Sequence, residues 1–489
     1  KTILRVLRNL YKSGIYEESS HFRIDWIKKA ASMFELEGRD FEWTGWLKSL
    51  EDKEFAKIAR RNKLWAEDAY LEFVVKPEVE ISQLEIIESM IEVFSADAEV
   101  LEMAGERAYD LGTVDTHIAD YMNLVIMCFE KVLQLIGSEI KGALYLKSLN
   151  YLGLAYWSLS AVQDAFSNST KAIDCFNEVL KLTNADSQPY ETAKIKNKLG
   201  NAYIILAQLE NIEANCVKAI EAYDSALKVF SQRKFPLDFS RTKNNLGGAY
   251  LLMAKVKDSA DNYRSAIQCF AEAIKVTTAE ENSKFFALTK NNIANTYARL
   301  SELEDAETNL LQAIDAYNDV LKIQTIEKAP LQYGLTMNNI GNAYSMLAMI
   351  KDKKANIDKA IYCFEEALKV RLPEQVPLQY ANTMFNMGDA YLALGTSENN
   401  PDLIARSIDH MEESKKLRTA ADYPLQYAEV CTGIGRAYIK LAEFEDKTEN
   451  YHKAIAAFDE ALKVYTEKDF PDDHAFIMEE ISKAKKIFF

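Results

Sequence analysis

The sequence predicts an all-α chain, an α-solenoid of stacked antiparallel helix pairs with a helical cap region at the N-terminal end. Three observations predict it. First, the motif Asn338-Asn339-Ile340-Gly341-Asn342-Ala343-Tyr344 recurs in steps of 47 residues (341 − 294 = 47, 294 − 247 = 47). Its reference positions are Gly153, Gly200, Gly247, Ala294, Gly341, Gly388 and Gly435, each followed three residues later by a tyrosine, from Tyr156 to Tyr438. A fixed period of this size marks a repeat architecture. Second, the apolar positions Tyr333, Ile340, Tyr344 and Leu347 are spaced by three, four or seven residues, which is helical periodicity. Third, a proline column stands at Pro189, Pro236, Pro330, Pro377, Pro424 and Pro471, with Ser283 as the exception. Proline fits the first position of a helix, where an N–H has no partner to lose.

Residues 1–95 do not follow the period. They hold Trp26, Trp43, Trp46 and Trp65, four of the five tryptophans. Helices are expected over 2–11, 22–36, 46–73 and 82–94. The region reads either as a cap over the apolar end that a solenoid exposes or as a separate docking module. The first residue is Lys1, not methionine, which leaves room for an upstream domain. Acidic residues dominate from Glu67 to Asp115, a solvated face or an acidic docking surface.

Residues 96–470 form eight repeats, the first degenerate: Tyr109 keeps its column while Glu106 replaces the glycine. In each repeat a second helix follows the first. Around Gly341 it is expected over Ile357–Val370, with Asn356 as N-cap and Ala360, Ile361, Phe364, Ala367 and Leu368 as its apolar stripe. The asparagine column reads Asn168, Asn215, Asn262, Asn309, Asn356 and Asn450, broken by Leu403. Lys369 and its equivalents from Lys181 to Lys463 sit near the helix C-terminus, where a cation is favoured. In the repeat of Gly388, the stretch 395–401 (Gly-Thr-Ser-Glu-Asn-Asn-Pro) predicts a looser link. Residues 471–489 predict a C-terminal capping helix on Phe476, Ile477 and Ile481.

These residues resemble the tetratricopeptide repeat. Gly341, Tyr344, Ala360, Phe364, Ala367 and Pro377 match its motif in order. The family unit is about 34 residues; seven of the extra residues fall between Gly341 and Ala360, roughly two helical turns, and the rest before Pro377. The resemblance implies a right-handed superhelix whose first helices line a concave groove. Long units of this kind are similar to those of bacterial and archaeal signalling or defence proteins, where they join separate effector domains.

Composition narrows the function. The net charge of −16 argues against a nucleic-acid scaffold, whose affinity rests on neutralising phosphates. No apolar run approaches the length of a membrane span. Cys128, Cys175, Cys269 and Cys363 share one column of the second helix. Neighbouring repeats hold that column about 9–10 Å apart, too far for a disulfide, so these are core cysteines of a reducing, cytoplasmic compartment. There is no phosphate loop, nucleophile elbow or zinc spacing, and the five histidines are scattered. The sequence predicts no active site, no metal and no cofactor.

What rises above core packing is asparagine. Three positions before the reference stand Asn150, Asn197, Asn244, Asn291 and Asn338; one position after it stand Asn201, Asn295 and Asn342. Six before it are Lys147, Lys194 and Arg241. A further column, Asn245, Asn292, Asn339 and Asn386, is placed at the groove edge. By the resemblance, the first three columns line the groove, with apolar Trp157, Ile204, Leu251 and Leu392 beside them. Asparagine can both donate to and accept from an extended backbone. The expected function is a non-enzymatic scaffold holding a partner protein or an extended, acidic peptide. The alternative is the sensor portion of a larger signalling or defence protein. Recognition of RNA by helical repeats is a weaker third reading.

Overall fold

The structure is a computed structural model that describes residues 95–488 apart from 115 and 138–141, together with 84, 87, 88, 91 and 92. The expected helices over 2–11, 22–36 and 46–73 and the four tryptophans lie outside the described residues. The chain divides into two compact units, Lys1–Val256 and Lys257–Phe489.

Among the described residues the first unit holds α1 (Ala98–Gly112), α2 (Ile118–Ile136), α3 (Ala143–Leu159), α4 (Ala165–Leu182), α5 (Pro189–Leu209), α6 (Ile212–Leu227) and α7 (Pro236–Met253). The second holds α8 (Ser259–Val276), α9 (Ser283–Leu300), α10 (Ala306–Leu321), α11 (Pro330–Ala348), α12 (Lys353–Leu368), α13 (Pro377–Glu398), α14 (Pro401–Leu417), α15 (Pro424–Leu441), α16 (Lys447–Leu462) and α17 (Pro471–Phe488). Within each unit, successive helices joined by short links pack as antiparallel pairs, and the pairs stack. This is the α-solenoid that the period predicts. No helix among the described residues is long and apolar enough to cross a membrane.

The proline column falls on the first residue of its helices. Where Ser283 replaces it, Asn282 supplies the start instead, its side chain accepting from the Phe285 N–H. The reference glycine exists for one contact. A Cβ on Gly341 would stand 2.4 Å from Cε1 of Phe364, and one on Gly153 2.6 Å from Cε1 of Phe176. The second helix thus drives its aromatic ring against the bare backbone of the first. Phe176, Phe270, Phe364 and Phe458 are fully buried, as are Tyr223 and Tyr317 in the same column.

The tyrosine column is less buried than its regularity suggests. Tyr156 and Tyr391 are buried, but Tyr203, Tyr250, Tyr297, Tyr344 and Tyr438 are only partly buried. A cation of the second helix, fifteen residues on, lies over most of these rings. Lys171 stands 5.1 Å from the Tyr156 centroid, Lys218 5.4 Å from Tyr203, Lys359 5.1 Å from Tyr344, Arg406 4.2 Å from Tyr391 and Lys453 5.6 Å from Tyr438. Tyr250 and Tyr297 face Ser265 and Gln312 at that spacing.

The start of the second helix differs from expectation. Asn356 is not its N-cap: α12 begins one turn earlier, at Lys353, after Asp352. Asp352 has φ of +44°, and Asp164, Asn211, Asp258, Asp305, Asn399 and Asp446 repeat this left-handed conformation at every 47th position. Aspartate and asparagine enter that region more readily than other side chains. The asparagine column then acts as a hook. Asn309 Nδ2 donates to the Glu304 carbonyl at 2.7 Å and Asn356 Nδ2 to the Lys351 carbonyl at 2.9 Å, each reaching back across the left-handed residue. Replacing Asp305 by valine should cost about 1–2 kcal/mol, the left-handed penalty for a β-branched residue. Asp305→Gly should leave stability nearly unchanged in urea denaturation; equal losses for both would mean the turn carries no such constraint.

One further correction follows. The stretch 395–401 is not loose. α13 runs unbroken to Glu398, Asn399 takes the left-handed turn, and Asn400 caps α14 by accepting from the Asp402 N–H. All six cysteines are free thiols. Burial pushes Cys128, Cys175 and Cys363 up to about 12, so they are poor nucleophiles at neutral pH.

Candidate functional site

The asparagine columns serve first to join one repeat to the next. Asn245 Nδ2 donates to Asn201 Oδ1 at 2.9 Å in the first unit. In the second, Asn339 donates to Asn295 at 3.4 Å and Asn386 to Asn342 at 2.9 Å. These rungs link the first helices of consecutive repeats, so the column assigned to the groove edge is the donor half of a ladder. Asn201 and Asn295 also accept from the hydroxyls of Tyr223 and Tyr317, and those two tyrosines stand where other repeats have phenylalanine.

The column three before the reference also turns toward the neighbouring repeat. Asn338 is buried, and its Oδ1 accepts from Thr383 Oγ1 at 3.0 Å and Asn386 Nδ2 at 3.4 Å. It therefore lies between first helices and not on an open wall. Asn150 Oδ1 accepts from Lys198 Nζ at 3.2 Å. The Oδ1 atoms of Asn197 and Asn291 are buried without a hydrogen-bond partner among the described residues; Asn244 is half-buried.

The expected basic wall is largely neutralised. Lys147 bonds Glu102 and Glu106, both at 2.6 Å. Lys194 pairs with Glu191 at 3.3 Å and lies over the Tyr190 ring. Arg241 is exposed. Lys198, which sequence reasoning passed over, is pushed down to about 8, by burial first and by the neighbouring Lys194 next.

An open groove among the described residues of the second unit encloses about 680 Å³, walled by α11, α13, α15 and α17 with Lys353 and Ile357 of α12. Asn342, Ser345, Met346 and Met349 form one side; Phe385, Asn386, Asp389, Leu392, Ala393 and Thr396 form the floor; Arg436, Ile439, Lys440 and Glu480 close it. Met349 is 81% exposed, a large flexible apolar side chain held in water. The groove crosses the first helices of three successive repeats and the last helix of the chain. Of the expected site residues, Asn342 lies on its wall, and Leu392 of the apolar column lies on its floor. Met346, Met349, Asp389 and Arg436 were missed because each stands in a column that changes residue type from repeat to repeat.

Most charges in this groove are matched locally, with Lys353 the exception, which has no ion pair among the described residues. Asp389 faces Arg436 at 3.9 Å, Lys440 bonds Glu443 at 2.9 Å, and Glu480 bonds Lys483 at 3.1 Å. Beneath the floor lie two buried arginines. Arg371, 4% exposed, donates to Thr383 Oγ1 at 2.8 Å; Arg418, 2% exposed, donates to Asn382 Oδ1.

Tetratricopeptide repeat family models match residues 286–324, 341–372 and 428–467. These spans fall on the helix pairs α9–α10, α11–α12 and α15–α16, so the chain carries tetratricopeptide repeats there. A comparison with curated protein sequences finds no match. Among solved structures, the chain is similar to the apo form of RapI, at 12% identity and a TM-score of 0.48, over 78% of this chain and 97% of that one. It is similar to the C-terminal part of a TPR repeat-containing protein from Cytophaga hutchinsonii, at 15% identity and a TM-score of 0.40, over 65% of this chain and 98% of that one. It is also similar to a signal transduction ATPase with numerous domains and a tetratricopeptide repeat sensor from Pyrococcus horikoshii. There the identity is 14% and the TM-score 0.42, over 100% of this chain and 65% of that one.

Proposed function

We propose that this chain is a protein-interaction module that holds an extended segment of a partner protein in the groove of its second unit. The observation that carries this is the groove itself: an open channel with apolar Met346, Met349, Phe385, Leu392 and Ile439 interleaved with polar Asn342, Ser345, Asn386 and Thr396. Apolar surface with a few placed polar groups is what recognition sites are made of. Methionine adapts to varied side chains, and the amides give register to a backbone. Among the described residues no cluster of His, Cys, Asp and Glu is suited to a metal. An acidic partner was expected from Lys147, Lys194 and Arg241, but the first two already hold acids of their own chain. The groove's exposed apolar residues favour a segment anchored by an apolar side chain.

The test is selection from a displayed library of random dodecapeptides, with the whole chain and its Ser345→Trp variant as baits. The wild-type chain should enrich a convergent set with a shared apolar position, and the variant should not. Equal enrichment on both, or none on the wild type, would overturn the groove assignment.

A further inference from the structure

Arg371 is a buried cation to which the groove reading gives no task. It stands just after α12, beneath the groove floor. No carboxylate pairs with it among the described residues, and burial alone pushes it down to about 10. Burying a guanidinium without an acid is costly. This one directs its Nη1 at α13, donating to Thr383 Oγ1 at 2.8 Å and to the Gln379 carbonyl at 3.3 Å.

Two other repeats show what happens without it. In the column of Arg371 they carry Phe230 and Gln324. In the repeat with Phe230, the equivalents of Thr383 and Asn338 do not meet: Thr242 Oγ1 and Asn197 Oδ1 are both buried without a hydrogen-bond partner among the described residues. In the repeat with Gln324, Thr336 Oγ1 donates to the Gln332 carbonyl of its own helix, and Asn291 Oδ1 is left buried and unpartnered. With Arg371 in place the link closes, and Thr383 Oγ1 donates to Asn338 Oδ1 at 3.0 Å. The cause is hydrogen-bond polarity. A guanidinium can only donate, so Thr383 Oγ1 accepts from it and has one proton to pass on. The Gln379 carbonyl, also 3.0 Å from that hydroxyl, already takes the Thr383 N–H of the helix ladder and Arg371 Nη1. Its two lone pairs are filled, and the proton goes to Asn338.

From Asn338 the order runs on into the groove. Asn386 Nδ2 donates one proton to Asn338 Oδ1 at 3.4 Å and the other to Asn342 Oδ1 at 2.9 Å. Both protons of Asn386 are then used, which leaves its Oδ1 for the groove, and Asn342 is left with its Nδ2. Both residues line the opening. We propose that Arg371 is a positioning residue: through Thr383 and Asn338 it fixes the polarity of the amide pair, with Asn386 accepting and Asn342 donating. The partner's backbone then brings an N–H over α13 and a C=O over α11, and this order sets the register of the bound segment. The inference rests on the groove reading above and names the residue that holds its amides in order.

The experiment takes a dodecapeptide selected on the wild-type chain and replaces its backbone amides by esters one at a time, each removing a single N–H. One ester should weaken binding to wild type by about three- to tenfold, the effect of one neutral hydrogen bond. On Thr383→Val and on Arg371→Met the same ester should change affinity by less than about twofold. Thr383→Ser, which keeps the hydroxyl, should restore the sensitivity. Both disruptive variants place in their column an apolar residue that another repeat already carries, Val430 and Phe230, so the helix pairs keep their packing, and either variant alone reads the link. Equal ester sensitivity on wild type and on the two variants overturns this proposal. So does a peptide that loses binding to Ser345→Trp yet is weakened by no ester; both results leave the groove reading standing. Failure of wild type to select any peptide sensitive to Ser345→Trp overturns the groove reading itself.

Discussion

Replacing Phe364 by alanine is expected to lower the unfolding free energy by about 3–5 kcal/mol, the range for a fully buried aromatic. Phe364 is 0% exposed, between Ala360 and Ala367 on its own helix and the bare backbone of Gly341 on the facing one. Removing the ring leaves a cavity that the rigid first helix cannot collapse into. The converse change, Gly341→Ala, should cost about 1–3 kcal/mol, as overpacking does, because its Cβ would press on the Phe364 ring. The native Ala294, facing buried Tyr317, shows that the pair can adjust, which sets the lower end of that range. Tyr297→Ala should cost about 2–3 kcal/mol, less than a fully buried aromatic, since its side chain is only partly buried and Gln312 offers its ring no cation. Urea denaturation measures all three. A loss at Phe364 no larger than that at Tyr297 would mean that the tyrosine column, and not the phenylalanine column, holds each pair together.

Ser345→Trp is expected to weaken a selected peptide at least a hundredfold while leaving the melting temperature within a few degrees. Ser345 is half-exposed on the groove wall, four residues after Gly341. The same column carries a native tryptophan, Trp157, in the first unit, so the first helix accepts an indole there without losing its packing. In the second unit the indole would occupy space between Met346 and Met349 that the peptide's apolar anchor needs. Losing that anchor's burial costs about 1.5–3 kcal/mol, and the displaced backbone contacts add about 0.5–1.5 kcal/mol each. Together these amount to a hundredfold or more at 1.4 kcal/mol per decade. Binding by the variant within threefold of wild type would place the peptide elsewhere.

The period made the fold legible. Glycine, tyrosine, proline and the second-helix aromatic recur at 47 residues because each makes the same contact in every repeat, and invariant contacts leave invariant letters. The left-handed Asp352 and its equivalents recur as faithfully, and aspartate and asparagine are equal N-caps by residue type, so the asparagine four residues later drew the helix start one turn late. Burial degree was harder to read. Tyrosine and phenylalanine columns look alike as letters, and only packing shows that one ring is enclosed while the other is roofed by Lys171, Lys218 or Lys359. The site was least legible. The asparagines stood out because they repeat, and they repeat because they join repeats. Residues that differ between repeats, such as Met349, Asp389 and Arg436, carry the groove's individuality, and a search for recurrence passes over them.

The most direct test of the groove assignment is a methyl NMR titration of the methionine-labelled chain with a peptide selected on the wild type. The chain has 13 methionines. The resonances of Met346 and Met349 should shift saturably with the affinity measured for the peptide, while those of Met122 and Met253, buried in the first unit, stay in place. Saturable binding that leaves Met346 and Met349 unmoved would contradict the account.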